Sequence, residues 1–148
     1  MTAFSTGARG AGGRPSPPLS SSRMTAQRQR IGRAAEDLVA ARLATAHWRI
    51  VERNARTRYG ELDIVALDGD TLVFVEVKAG RENTVFGPER PVLAVDHRKQ
   101  QRIRRLATAW MAENRNALRY GEIRFDAVGV TFNRGGQVTD LEHIIGAF

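Results

Sequence analysis

The period of the apolar positions changes along the chain, and each change marks an element. From about Thr25 to His47, Ile31, Ala35, Leu38, Val39, Leu43 and Ala46 recur every three or four residues, which aligns them along one stripe of an α-helix. A short extended run, Trp48 to Asn54, follows. Glu61 to Leu67 and Thr71 to Lys78 are rich in β-branched and aromatic residues and flank Asp68-Gly69-Asp70. Asp-Gly between two such runs predicts a β-hairpin. Gly80 to Pro91 breaks the pattern with two prolines, Gly87 and several charges, and reads as a loop. Asp96 can cap a helix running to about Glu113, with Ile103, Leu106, Ala107, Trp110 and Met111 on its apolar face. Glu122 to Phe132 and Val138 to Ile145 read as two further strands. The order α-β-β-β-α-β-β predicts an α/β fold, a mixed central sheet flanked by helices.

Residues 1–24 stand apart. They are rich in glycine, proline and serine and hold no acidic residue, so they cannot bury enough apolar surface to offset the entropy of ordering. The expected organisation is a disordered basic tail over 1–24, with Met24 as an alternative start, and one domain over 25–148. The tail is arginine- and serine-rich like a transit peptide but lacks its amphipathic pattern. With no secretory apolar segment, the expected location is the cytoplasm. No run of apolar residues is long enough for a membrane span. The chain has no cysteine, which excludes disulfides, thiolate zinc sites and a cysteine nucleophile.

Charge narrows the function further. The net charge is +7 and the pI about 11.1; without Arg9, Arg14 and Arg23 of the tail the remainder is still basic. Such an excess points to a polyanionic partner, nucleic acid above all, although basic residues also serve solubility. Only two of the 23 basic residues are lysines, Lys78 and Lys99. A lysine offers a compact charge on a flexible stem where arginine offers a planar fork, so these two positions stand out.

Leu72 to Val75 with Val77 form an almost continuous apolar run, the mark of a strand buried on both sides. Glu76 and Lys78 interrupt it, two residues apart and so on one face. With Asp68-Gly69 as a two-residue turn, Asp63 faces Phe74 and Glu61 faces Glu76. Glu61, Asp63, Glu76 and Lys78 then converge on one surface. A four-residue turn would preserve this arrangement, and a three-residue turn would break it. Buried charges are rarely unpaired. The spacing admits an ion pair at a strand end. It equally admits two carboxylates holding a hard cation, with a lysine serving the water that attacks phosphorus. His47, His97 and His143 lack metal-ligand spacing, and Gly135-Gly136 is a turn with no phosphate-loop signature after it.

The string Gly60-Glu61-Leu62-Asp63-Ile64-Val65-Ala66, then Phe74-Val75-Glu76-Val77-Lys78, resembles the D…(E-x-K) core of the PD-(D/E)XK nucleases. More narrowly it is similar to the YraN-like proteins, uncharacterised protein family 0102. Further matches are Gly32 to Glu36 on the first helix, Arg53-Asn54, Phe86-Gly87, Lys99 and Arg124-Phe125-Asp126, covering about residues 30–145. The chain departs from the family's usual E-V-K-Thr-Arg in having Ala79-Gly80 before Arg81, which removes a hydroxyl and shifts an arginine beside the motif.

The resemblance implies a restriction endonuclease-like core and a Mg²⁺ (or Mn²⁺) ion held by Asp63, Glu76 and the Val77 carbonyl. Lys78 would serve the attacking water, Glu36 would approach as an auxiliary acid or outer ligand, and Lys99 would reach the same site. Read from the residues alone, Glu36 could instead pair with Arg33 on an exposed helix face, and Lys99 could be a solvated first-turn residue. Asp126 reads as a structural partner of Arg124. The function implied is a metal-dependent endonuclease hydrolysing phosphodiester bonds in DNA, branched or junction DNA included. The alternative is a nucleic-acid-binding module of the same fold without efficient catalysis. Either is compatible with a homodimer and needs no membrane.

Overall fold

The computed structural model describes residues 21–82 and 90–148. A helix α1 (Ser21–Thr45) leads into strands β1 (Arg49–Thr57), β2 (Gly60–Asp68) and β3 (Thr71–Arg81). A 3-10 turn (Pro91–Ala94) precedes helix α2 (His97–Glu113), and strands β4 (Glu122–Phe132) and β5 (Val138–Ile144) complete the chain. The five strands form one sheet in the order β1-β2-β3-β4-β5. Neighbours are antiparallel except β3 and β4, which α2 connects as a parallel pair. This is the mixed α/β sheet that the order of apolar patterns predicts.

Each helix covers one face. Ala35, Val39, Ala40 and Leu43 of α1 pack on Ile64, Ala66, Val73, Val75 and Val77, continuing onto Val128 and Val130 of β4. Ile103, Leu106, Ala107 and Trp110 of α2 pack on Val65, Leu72, Phe74 and Ala127. Strand β3 therefore lies between two cores, and no residue from Leu72 to Val77 is more than 8% exposed. That explains its near-continuous apolar run. On the α2 side the Phe74 ring meets Trp110 edge-on at 5.9 Å and stacks on Phe125 at 5.5 Å. The Trp110 indole donates to Glu52 of β1 at 2.7 Å, which satisfies its one polar atom.

Three boundaries differ from the sequence reading by three residues or more. The helix begins at Ser21, not Thr25, so residues 21–24 belong to α1, while 1–20 lie outside the described residues. Strand β1 runs to Thr57 because it pairs with β2 as far as Thr57↔Gly60. Strand β3 runs to Arg81 because β4 pairs with it as far as Arg81↔Phe132; the matched Phe86-Gly87 falls outside the described residues. Helix α1 closes with His47 at φ 67°, while Trp48 N–H donates to the Leu43 carbonyl and His47 N–H to the Ala44 carbonyl, both at 3.0 Å. These are the two bonds of a Schellman cap, with histidine where glycine is usual.

The hairpin turn is also displaced by one residue. Asp68 pairs with Thr71, so Gly69 and Asp70 make the turn, with Gly69 at φ +59°. Phe74 consequently faces Val65 and not Asp63. Each strand has moved by one position, so the pairing sum changes by an even number and every side chain keeps its face.

Gly129 of β4, opposite Lys78, is held small by the 3-10 turn. A Cβ there would lie 2.8 Å from the Val92 backbone nitrogen and 3.2 Å from Val92 Cβ. Gly129→Ala should therefore cost about 1–3 kcal/mol through overpacking, read as a lower urea midpoint at unchanged slope.

Candidate metal and phosphate site

Strands β2 and β3 pair only part of the way. Their ladder runs from Asp68↔Thr71 to Ile64↔Val75. Beyond it, Gly60 to Leu62 of β2 pair with β1, and Glu76 to Arg81 of β3 pair with β4. The sheet thus forks, and Asp63 and Glu76 stand on the two prongs at the point of division. Asp63 fills the gap with its side chain: its Oδ2 accepts from the Val77 N–H at 2.8 Å.

A cavity of about 300 Å³ opens at this fork, lined by Glu36, Glu61, Asp63, Glu76, Val77, Lys78, Lys99, Arg102, Ile103 and Leu106. All six residues that the resemblance assigns to the site (Glu36, Asp63, Glu76, Val77, Lys78 and Lys99) lie on it. They come from both helices and both prongs. Lys99 sits in the first turn of α2, whose N-cap Asp96 accepts from the Lys99 backbone N–H at 2.9 Å. Its Nζ lies 2.9 Å from Glu76 Oε1, and the Lys78 Nζ lies 3.6 Å from the same oxygen. Lys99 therefore lines the fork and pairs with Glu76.

The charges at the fork are unequally compensated. Glu76 is 8% exposed and has both ammonium groups beside it. Asp63 has one backbone N–H and a carboxylate neighbour. Burial, reinforced by the Glu76 charge, pushes its carboxyl up to about 8. Burial also raises Glu36, against the opposing pull of Arg53. Lys78 is lowered by burial and then by its contact with Lys99. Lys99 suffers the same burial, but its contacts with Lys78 and Glu76 leave it raised.

Three residues complete the site beyond those six. Asn54 of β1 adopts φ 51°, a conformation that asparagine tolerates better than most residues. Its amide nitrogen, in the orientation assigned from its hydrogen bonds, lies 2.9 Å from Glu36 and 2.9 Å from Glu61 and donates to both. Glu36 is thereby directed to the fork, not paired with Arg33. Glu61 holds the second acceptor and also lies 3.7 Å from Arg56. Arg102, one turn after Lys99, rests against the backbone of Gly60 at φ +138°, where an added Cβ would meet its guanidinium at 3.1 Å. Asn54 had a sequence signal only as the second half of Arg53-Asn54. Arg102 had none beyond being one of several arginines on its helix.

Among the described residues no cluster of three or more His, Cys, Asp or Glu has the geometry to hold a metal. The fork's cavity is lined by Asp63 and Glu76, with Glu36 and Glu61 beside them, and by Val77, whose backbone adds a carbonyl oxygen. All offer hard oxygen donors, and Mg²⁺ is commonly bound by one or two carboxylates with water and substrate phosphate completing its shell. The donor set fits such an ion.

The comparisons with known proteins concern the same stretch of chain. The model of "Uncharacterised protein family UPF0102" matches residues 35–130. A UPF0102 protein of Rhodococcus opacus is 42% identical over 118 residues, covering 80% of this chain and 95% of that protein. One of Moorella thermoacetica is 43% identical over 125 residues, covering 84% of this chain and 100% of that protein. One of Streptomyces griseus is 47% identical over 111 residues, covering 74% and 90%. With identity this high across nearly the whole length of its relatives, the chain belongs to the uncharacterised protein family UPF0102.

Proposed function

We propose that this protein is a divalent-metal-dependent nuclease that hydrolyses phosphodiester bonds in DNA at the fork between β2 and β3. The observation that carries the reading is the convergence of Asp63, Glu76, Lys78, Lys99 and Glu36 on one cavity, with two carboxylates and two ammonium groups in contact. Asp63, Glu76 and the Val77 carbonyl would hold Mg²⁺ or Mn²⁺. Such an ion, when bound, supplies positive charge for the phosphate and acidifies water.

The chain's own groups account for the rest. Lys78 and Lys99 place two donors where a phosphate oxygen would lie, and they balance the negative charge that grows there as the bond to phosphorus forms. Lys78, on the E-x-K strand, is placed to orient the attacking water. Glu36 adds a further carboxylate, held by Asn54, that can take or return a proton. The flanking α2 supplies Arg102 for the adjoining phosphate.

One observation favours a second reading, a binding module without efficient turnover. Ala79-Gly80 stands where the family usually has Thr-Arg, so one hydroxyl and one arginine are absent from the place beside Lys78. Purified protein incubated with labelled branched, single-stranded and duplex DNA, with Mg²⁺, Mn²⁺ or EDTA, separates the two. Cleavage of at least one substrate only with the divalent ion is the expected result. Salt-sensitive binding without cleavage supports the module, and neither binding nor cleavage ends both readings.

No helix among the described residues is long and apolar enough to cross a membrane.

A further inference from the structure

A second cleft, of about 700 Å³, lies between α1 and β1. It adjoins the fork directly, because Glu36 and Glu61 line both cavities. Beside those two carboxylates it is lined by Arg33 and Asp37 from the helix and by Arg53 and Arg56 from the strand, with Asp37 already paired to Arg53. Its approach is open. Ser21 to Arg30 are all exposed, and an added Cβ on Gly32 would meet no atom within 4 Å. That leading part of α1 carries Arg23, Arg28 and Arg30 and no acidic residue, so the positive strip continues along the helix past the mouth of the cleft.

The lining chemistry indicates what the cleft holds. Guanidinium forks match phosphate oxygens in pairs. Arg53 is steadied by Asp37, and Arg56 is 88% exposed beside Glu61, so each keeps donors to offer, a guanidinium having five. No aromatic ring lines the cleft, which removes the stacking platforms by which single-strand binders grip bases. Its volume lies in the range of pockets that enclose small ligands, roughly 300–1,000 Å³. Such a space can take part of one sugar–phosphate backbone.

We propose that this cleft is the channel along which one strand of nucleic acid runs to the fork, held by its phosphates on Arg33, Arg53 and Arg56 and without regard to base sequence. The direction of travel rests on the nuclease reading of the fork; the binding itself does not.

The test is fluorescence anisotropy of a short labelled oligothymidylate, with EDTA present, over a series of salt concentrations. Arg33→Ala with Arg56→Ala should weaken binding about tenfold and lower the slope of log affinity against log salt by about 1–2. The control pair is Arg115→Ala with Arg119→Ala, beyond the far end of α2, which removes the same charge and should change affinity much less. Asp37→Asn, which frees Arg53 on an exposed surface, should tighten binding. Unlabelled duplex should compete less well than unlabelled single strand. Equal losses from the two arginine pairs, no loss from the cleft pair, better competition by duplex, or no strand binding by the wild type would each overturn the channel. Asp63→Asn separates this proposal from the reading it extends. It should bind the strand undiminished while losing cleavage, so a cleft that fails leaves the fork standing, and a fork that fails leaves the EDTA binding data intact.

Discussion

Asp126→Ala should cost the fold about 3–5 kcal/mol, because it leaves the part-buried Arg124 and His143 without their shared partner. Asp126 is fully buried on β4. Arg124 Nε and Nη2 donate to its two oxygens at 2.9 and 3.1 Å, the His143 ring nitrogen lies 2.8 Å away, and the Gly146 N–H donates at 3.0 Å. Burial alone would raise its carboxyl, but the bonds from His143, Arg124 and Gly146 outweigh that and hold it below the ordinary aspartate value. Arg124 keeps Asp68 Oδ2 at 3.1 Å, which places the expected loss toward the lower end of the range. For a chain of this size that is roughly 10 °C in Tm, measurable by scanning calorimetry. A depressed carboxylate stabilises above its unfolded value of 3.8 and loses that contribution as pH falls through the folded value. The wild type should therefore shed this stability in acid and the variant should not. A variant within one or two degrees of the wild type at neutral pH would show that the network is dispensable.

Asp63→Asn should have the opposite effect on the metal-free fold. The folded carboxyl stands at about 8 against 3.8 in the ordinary state. A raised carboxyl favours folding below its unfolded value and loses that advantage as pH rises through the folded one. Metal-free wild type should thus weaken between about pH 4 and 8, and Asp63→Asn, which cannot ionise, should lack that slope and melt higher near neutrality. The amide can still accept from the Val77 N–H, so the fork keeps its shape. Cleavage should fall by at least ~10³-fold, on the scale of losing one group preorganised to stabilise the transition state. The experiment is Tm against pH in EDTA for both proteins, with single-turnover cleavage in Mn²⁺. Parallel pH curves, or cleavage that survives the substitution, would remove Asp63 from the site.

The sequence carried the elements well because their signals are local. The apolar stripe of α2, its Asp96 cap and the double-sided run of β3 needed no knowledge of the rest of the chain. The face shared by Asp63, Glu76 and Lys78 was legible for a related reason: side chains alternate with period two, so a turn placed one residue early still left the parity intact. The fork was not legible. Where one ladder stops and another continues depends on three strands at once, and no dipeptide marks it. Asn54 illustrates the same limit. Its side chain, at a residue with φ 51°, bridges two carboxylates, and those arrive from α1 and β2. The start of α1 was missed because composition over a window is coarse. Ser21 and Ser22 were grouped with the prolines before them, although serine is a favoured residue at helix starts.

The metal site itself is tested most directly by calorimetric titration of Mn²⁺ into the wild type and Asp63→Asn at neutral pH. The expected result is saturable binding to the wild type, weakened by well over the ~10–100-fold that loss of an outer-shell partner causes when Asp63 is replaced. Equal isotherms for the two proteins, or no uptake by the wild type, would contradict a metal site at the fork.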